Sequence, residues 1–248
     1  MKSISIVGFG RFGETLLTLF GDDFKVGIFT RSEKNKERIP KQSNIRVLHT
    51  ANEIYEAEAI FYCVPISQFE SILTDHAMFI HDEHTLLDVL SVKLHPKTVF
   101  ERVLKTKKTQ AILTHPMFGP DSSKNGFSQL PLILDQFRAD DKTYTFWKTY
   151  FESKLLNVIE MTPDEHDRQA ADSQGLTHFV GRLLQEYGYK QTQIDSLGAT
   201  KLREIMDQVC NDTWELYYDL ERYNPYTKDM VKKLDSSFER LHKKTFTT

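Results

Sequence analysis

The chain has 248 residues, of which 40% are hydrophobic and 27% charged, and its net charge is −3. The length suits one large or two modest globular domains, and the charge gives no electrostatic case for nucleic acid or an anionic membrane as a partner. No apolar run approaches the ~18 residues of a membrane span, and the strand pattern begins so early that we expect no signal peptide.

The two cysteines indicate the redox environment of the protein. Cys63 and Cys210 lie far apart and form neither a CxxC motif nor a zinc-ligand spacing. We therefore expect two buried thiols in a reducing, cytoplasmic environment and no metal site.

A glycine-rich turn follows the first predicted strand. The strand covers residues 4–7, and GFGRFG fills residues 8–13 directly before a stretch with helical spacing. This order is the context that a dinucleotide fingerprint requires, because the N–H groups at the helix N-terminus face the phosphates. The glycines allow in turn a tight bend, close approach of the pyrophosphate and packing of the helix on the strand; the alternative is a glycine turn that binds no phosphate. The predicted cofactor residues of this segment are Gly8, Gly10, Arg11, Phe12 and Gly13.

The end of the second predicted strand, residues 24–29, indicates which nucleotide binds. An NAD site usually places an acid about 20 residues after the fingerprint, where it holds the ribose 2′-hydroxyl. This strand ends instead in Thr30, Arg31 and Ser32. Because Arg31 can pair with a 2′-phosphate and the two hydroxyls can donate hydrogen bonds to it, we predict NADP rather than NAD. A solvated Arg31 is the alternative, and the nearby Glu33 keeps NAD open.

The following apolar runs predict a parallel sheet. Those at 59–64 and 85–89 are continuous, as expected when helices cover both faces. Val64 and Pro65 form the corner after the first run, and we expect this corner beside the cofactor, because ligands bind at the carboxyl ends of such strands. The last strands are predicted at 131–134 and 156–161.

Two strand ends carry side chains suited to proton transfer. Ser91 follows the strand at 85–89, and His115 follows the apolar run at 111–113. The prolines and glycine that come next predict a rigid loop, which would hold an imidazole able to accept a proton near neutral pH. The alternatives are a helix cap for Ser91 and a turn-filling role for His115. Lys93 is predicted to be mobile, and a surface or structural residue rather than a catalytic one.

The character of the chain changes at residue 162. There the sequence TPDE combines a cap, a first-turn proline and acids at the positive end of a helix, and helical spacing continues to the C-terminus. We predict an α/β fold with a Rossmann-type doubly wound sheet in residues 1–161, followed by an all-helical dimerisation domain in residues 162–248.

Two helices of the second half carry distinctive faces. The first is predicted to place four residues on one side, among which His178 either faces substrate or lies between packed helices. The last has an apolar stripe opposite charged residues. That stripe needs a partner surface, either in a second copy of the chain or within the same chain. The first face consists of Asp167, Ala171, Gln174 and His178, and the stripe of Met230, Leu234, Phe238 and Leu241.

Two of these segments together, residues 88–93 (DVLSVK) and 114–120 (THPMFGP), resemble the prephenate/arogenate dehydrogenase family. The match looks closest to the plant-like arogenate dehydrogenase branch, and it extends over nearly the whole chain in the family's order. It continues at residues 165–167, 170–171, 173–174, 177–178, 211–217 and 223–224.

The resemblance implies oxidative decarboxylation of arogenate or prephenate in tyrosine biosynthesis, by a homodimer joined through its C-terminal helices, while the expectation of NADP rests on Arg31. It implies that His115 accepts the proton of the substrate 4-hydroxyl and that Ser91 orients His115 or binds the same hydroxyl. Family members usually bind a substrate carboxylate with an arginine of the helical domain, for which Arg203 is the first candidate, with Lys201 and Arg182 as alternatives. Asp212 is the predicted partner of the arogenate ammonium.

Two other functions remain open from sequence. One is a different NADP-linked two-domain reductase, of the β-hydroxyacid or imine type, which would rely on a lysine of the helical domain. The other is a non-catalytic sensor of NADP(H), which would bind the cofactor and turn over nothing.

Overall fold

The computed structural model describes residues 2–247. The chain divides into two compact units, Met1–Pro163 and Asp164–Thr248.

The first unit is built on one eight-stranded sheet, as the continuous apolar runs predict. The strands are β1 Ser3–Val7, β2 Lys25–Phe29, β3 Ile45–Leu48, β4 Ala59–Tyr62, β5 Thr85–Asp88, β6 Gln110–Pro116, β7 Pro131–Asp135 and β8 Asn157–Glu160. Their spatial order is β3-β2-β1-β4-β5-β6-β7-β8, and the first six strands of the chain are parallel to one another. β7 runs antiparallel to β6, and β8 runs parallel to β7.

This strand order places a switch point between β1 and β4. The chain moves outward from β1 through β2 and β3, and then returns to start again at β4 on the other side of β1. Connections leave the carboxyl ends of β1 and β4 in opposite directions, which opens a crevice where doubly wound sheets bind nucleotides. The predicted Rossmann-type α/β fold is confirmed.

Helices and an aromatic cluster support this edge of the sheet. Trp147 is fully buried, and its ring centroid lies 5.0 Å from that of Phe61, which in turn lies 4.9 Å from Phe20. The helices of this unit are α1 Arg11–Phe20, α2 Glu33–Lys36, α3 Ala51–Ile54, α4 Ile66–Asp75, α5 Leu94–Val103, α6 Pro120–Ser123 and α7 Asp141–Ser153, with a 3₁₀ turn at Ala77–Phe79. The aromatic cluster thus fixes the end of α1 against β4, and with it the orientation of the helix that starts at the glycine turn.

The second unit is helical, as the spacing predicts. Its helices are α8 Pro163–Ala170, α9 Leu176–Tyr187, α10 Leu197–Cys210, α11 Trp214–Tyr223 and α12 Thr227–Phe246. The close packing of α9 on α10 depends on a small residue, because a Cβ added at Gly181 would lie 2.1 Å from Val209 Cγ2. The buried Asn224, between the last two helices, donates a hydrogen bond of 2.7 Å to the backbone of Asp167.

A π-helical segment, Ala171–Gly175, joins α8 to α9. The sequence pattern predicted one regular α-helix here, with Asp167, Ala171, Gln174 and His178 on one face. The regular helix is wrong, because the π turn changes the direction of the residues that follow it. Each π turn holds one more residue than an α turn, and such segments often occur at functional sites. Asp167, Ala171 and His178 are nevertheless buried, whereas Gln174 is half-buried.

The apolar stripe of α12 is covered only at its start. Met230 is buried and Leu234 is half-buried, but Phe238 and Leu241 are 69% and 65% exposed. Packing within one chain therefore accounts for the first half of the stripe and leaves the second half open. Over residues 2–247, no helix is long and apolar enough to cross a membrane.

Candidate active site

The glycine turn between β1 and α1 has the geometry that a bound pyrophosphate requires. Gly8 adopts φ +99°, and a Cβ there would lie 2.2 Å from the carbonyl oxygen of Cys63, so only glycine fits. At Gly13 a Cβ would lie 2.5 Å from Gly8 O, whereas at Gly10 it would meet no atom within 4 Å. The open space at Gly10, next to the N-terminus of α1, fits the phosphates of a dinucleotide.

The corner after β4 forms the other wall of this turn. Cys63 donates its backbone N–H to Val7 O at 2.7 Å, and a side-chain carbon of Val64 lies 3.2 Å from the Cβ position of Gly8. Pro65 then caps α4 with φ −54°. The two residues predicted to lie beside the cofactor, Val64 and Pro65, are thus at the switch point.

The residues after β2 differ in what they offer a nucleotide. Arg31 is exposed and donates to the side-chain oxygen of Gln68 on α4. Thr30 is buried and accepts the N–H of Ser32 at 3.4 Å, while the Ser32 hydroxyl caps α2 by accepting from Asn35 N at 3.3 Å. Both hydroxyls therefore already accept hydrogen bonds from nearby backbone groups, and Arg31 is the charged residue among Thr30, Arg31 and Ser32.

The fingerprint helix also contacts the segment that follows His115. Arg11 pairs with Asp121 on α6 at 2.7 Å, and both side chains are about half exposed. The ring centroids of Phe12 and Phe118 are 6.2 Å apart. These contacts bring the start of α1 to the THPMFGP segment, although 103 residues (114 − 11) separate Arg11 from Thr114 in sequence.

His115 lies in a strand, so its predicted location in a loop is wrong. β6 continues through Thr114 and His115 to Pro116, and His115 pairs with Ile133 of β7. The strand can include Pro116 because β5 has already ended, at Asp88 opposite Leu113, so the missing N–H costs no bond on that side. His115 is 2% exposed.

Ser91 lies half-buried in the short loop between β5 and α5. The residue at the N-cap of α5 is Lys93, so the alternative role of Ser91 as the cap of this helix is not found. Because β5 and β6 are parallel neighbours, the Ser91 loop and the His115 end of β6 emerge at the same edge of the sheet.

A buried charged cluster that sequence reasoning missed connects these two segments. Lys93 is 1% exposed and Asp88 is 0% exposed, so the expectation of a mobile lysine is wrong, and of the two predicted locations the structural one is found rather than the surface one. The Lys93 ammonium donates to Asp88 Oδ2 and to the backbone carbonyl of Thr114. Burial raises the pKa of the Asp88 carboxyl, and the Lys93 ammonium and the N–H groups of Leu90 and Thr114 oppose that rise. The spacing of Asp88 and Lys93 around the loop was the signal that could have revealed the pair.

The helical unit holds a second set of candidate residues. Gln174, His178 and Arg182 follow one another at four-residue intervals, and each has a buried polar atom with no partner among the described residues. Burial lowers the pKa of His178 to about 4, and the charge of Arg182 adds to this effect. The imidazole is therefore neutral at physiological pH.

The two candidate arginines, Arg182 and Arg203, differ in the partners that they bind. Arg182 is 4% exposed, lies 4.2 Å from the ring centre of Trp214 and donates to the backbone carbonyl of Asp212 at 2.6 Å. Arg203 forms an ion pair with Asp195 at 3.0 Å. Arg182, rather than Arg203, thus connects His178 to Asp212.

Comparison with known proteins identifies the family. A model described as the nucleotide-binding domain of prephenate dehydrogenase matches residues 22–153, and one described as a TYRAAT1-like C-terminal domain matches residues 183–248. Arogenate dehydrogenase 2, chloroplastic, of Arabidopsis thaliana is 32% identical over 98% of this chain and 70% of its own length. The chain belongs to the prephenate/arogenate dehydrogenase family. Arogenate dehydrogenase 1 of the same plant is also 32% identical, over 98% of this chain and 39% of its own length.

The family resemblance of the DVLSVK and THPMFGP segments is thereby confirmed. A solved prephenate dehydrogenase from A. aeolicus, in complex with hydroxyphenyl propionate and NAD+, covers 98% of this chain and 90% of its own with a TM-score of 0.79; at 17% identity it shows the shared fold. Like other prephenate/arogenate dehydrogenases, this chain is an oxidoreductase of tyrosine biosynthesis that acts on a small molecule with a pyridine nucleotide.

Proposed function

We propose that this enzyme catalyses NADP-dependent oxidative decarboxylation, with arogenate preferred over prephenate. The observation that carries the proposal is the arrangement at one edge of the sheet. The fingerprint turn follows β1, the Ser91 loop follows β5, and His115 lies near the end of β6, and these strands are parallel. A bound dinucleotide and a proton acceptor are then at the same edge of the sheet.

Arg31 supports the choice of NADP. Its partner, Gln68, is neutral, so the guanidinium charge remains available for a 2′-phosphate. The nearest acid in sequence, Glu33, is paired with Lys36 at 2.6 Å, so its carboxylate is less available to accept a hydrogen bond from the 2′-hydroxyl of NAD.

The mechanism follows from what the residues at this edge can do. The nicotinamide, when bound, supplies the acceptor for the hydride of ring C4. Loss of carbon dioxide from C1 makes the ring aromatic, so the protein mainly has to orient the substrate and remove one proton. A neutral His115 accepts that proton from the 4-hydroxyl, and Ser91 orients the imidazole or binds the same hydroxyl.

The substrate carboxylates need cationic partners. We assign this role to Arg182 rather than Arg203, because the charge of Arg203 is paired with the Asp195 carboxylate, whereas the Arg182 guanidinium donates to neutral oxygens of a glutamine side chain and of the Asp212 backbone. His178, neutral because of burial, serves as a hydrogen-bonding group rather than as a charge. Asp212, next to Arg182 through its backbone carbonyl, is the proposed partner of the arogenate ammonium.

The exposed half of the α12 stripe supports a homodimer. Phe238, Leu241 and Phe246 are 65–74% exposed on one terminal helix, and apolar surface of this kind marks an interaction site. We propose that a second copy covers it in the cytoplasm. Light scattering of the wild type and of Phe238→Ser with Leu241→Ser tests this point, with a monomeric double variant expected; a monomeric wild type would contradict it.

The activity is tested by absorbance at 340 nm with NADP⁺ or NAD⁺ and with arogenate or prephenate. We expect reduction of NADP⁺ with arogenate, and little turnover by His115→Asn, which retains nucleotide binding. No turnover by wild-type protein that binds NADP would favour the other reductase or the sensor. A His115→Asn variant with the wild-type rate would refute the assignment of the proton acceptor.

A further inference from the structure

The end of β6 projects past the strand beside it. β5 ends at Asp88, which pairs with Leu113, whereas β6 continues through Thr114, His115 and Pro116. On the β5 side the backbone groups of Thr114 therefore have no strand to pair with. Buried backbone N–H and C=O groups need partners, so this overhang needs another source of hydrogen bonds.

Side chains of Asp88 and Lys93 supply those bonds. Thr114 donates its N–H to Asp88 Oδ1 at 3.2 Å, and its C=O accepts from the Lys93 ammonium. Its hydroxyl donates to the backbone carbonyl of Asp88. The N–H, the C=O and the hydroxyl of Thr114, the residue before His115, are thus all hydrogen-bonded to Asp88 or Lys93.

The same pair fixes the Ser91 loop. Asp88 Oδ2 accepts the N–H of Leu90 at 3.2 Å and the ammonium of Lys93. The ion pair therefore joins the two ends of the segment Asp88–Lys93, and Ser91 is part of this segment. One buried cluster sets both the loop that carries Ser91 and the strand that carries His115.

We propose that Asp88, Lys93 and Thr114 are positioning residues, which set the backbone of His115 relative to Ser91 for proton transfer. Stability alone is a weak reason for such a cluster, because a buried ion pair costs desolvation and well-packed apolar residues often serve as well. Geometry is a stronger reason: a displacement of about 1 Å at a catalytic group can lower the rate about 100-fold. The inference rests on the proposed role of His115.

The test uses matched threonines at the two ends of β6. Thr114→Val removes only the hydroxyl bond to Asp88, and Thr114→Ser keeps it. Thr109→Val is the control, since Thr109 is also fully buried and donates its hydroxyl to the His81 carbonyl at 2.9 Å, just before the strand begins. All are measured in the full chain, at a temperature below the unfolding of each variant.

We expect Thr114→Val to lower kcat about tenfold with KM changed less than about twofold, since orientation rather than binding is lost. Thr114→Ser and Thr109→Val should retain the wild-type kcat. Lys93→Met should lower kcat further; if it does not fold, the threonine series still decides. Histidine NMR of the ligand-free protein should show a shift of the His115 resonance in Thr114→Val and not in Thr109→Val.

Two results would overturn the inference: wild-type kcat in Thr114→Val, or the same loss in Thr109→Val, which would indicate a general effect of stability. His115→Asn is measured beside them. If it retains the wild-type kcat, the proposed function fails; if it loses turnover while Thr114→Val does not, only the positioning role fails.

Discussion

Two glycines of the fingerprint turn can be tested separately, and a third, Gly21 at the C-cap of α1, is a control for backbone strain alone. Gly8→Ala combines backbone strain with a clash, because φ is +99° and the new Cβ would lie 2.2 Å from Cys63 O. Gly21→Ala adds strain alone, since φ is +53° and the Cβ position is open. Gly10→Ala adds neither, since φ is −86° and the Cβ meets no atom within 4 Å.

The expected magnitudes follow from these numbers. A positive φ in a sparsely populated backbone region costs an alanine about 1–3 kcal/mol. Moving the Gly8 contact from 2.2 Å to the 3.4 Å of ordinary contact requires a backbone shift that costs about 1–3 kcal/mol more. For a unit of 163 residues, a total of about 3 kcal/mol lowers Tm by about 6–12 °C. Gly21→Ala should lower Tm by about half as much.

Gly10→Ala should change function rather than stability. Its Tm should stay within about 3 °C of wild type, because alanine is only moderately worse than glycine at a helix N-cap. Its affinity for NADP should fall at least about tenfold, because the methyl group occupies the space where the pyrophosphate approaches. Thermal unfolding and calorimetric titration with NADP measure the two quantities. A Gly10→Ala variant that binds NADP normally would refute the placement of the phosphates.

Three further predictions concern other residues. Arg31→Ala should weaken NADP binding by about 10–100-fold and leave NAD binding within about twofold, as measured by calorimetry, because only NADP has the phosphate that the guanidinium contacts. Arg182→Met should raise KM for arogenate about 100-fold in steady-state assays, and the control Arg203→Met should not. Burial raises the pKa of Glu221 to about 7, so the folded chain binds more protons than the unfolded chain between the ordinary carboxyl pKa of 4.5 and about 7, and stability falls as pH rises through that window; in thermal unfolding from pH 5 to 8, Glu221→Gln should show a flatter pH dependence.

Local signals carried most of what the sequence predicted correctly. GFGRFG lies within six residues between a strand and a helix, so its turn follows from glycine geometry without knowledge of distant contacts. The parallel sheet follows from continuous apolar runs alternating with helical segments. The helical spacing of apolar residues at 144–151 is local in the same way, and these residues lie in α7, where Trp147 is fully buried.

Features that depend on distant partners could not be predicted in this way. The spacing of Asp88 and Lys93 can indicate an ion pair, but a lysine is usually exposed, and the burial of Lys93 also depends on the carbonyl of Thr114, 21 residues later, which accepts from its ammonium. Pro116 suggested that the strand had ended, and it lies in β6 because the neighbouring strand stops three residues earlier, opposite Leu113. The choice between Arg182 and Arg203 needed the position of Asp195.

The π segment at Ala171–Gly175 determines the rotation of α9 about its axis. It amounts to a one-residue insertion in an otherwise regular helix, and each residue of an α-helix turns the chain by about 100°. Deleting one residue there would restore regular α geometry and rotate α9 about its axis relative to α8. His178 and Arg182 would then change direction together, with their own chemistry unaltered. The orientation of this polar face is thus set by the number of residues before it as much as by their identity.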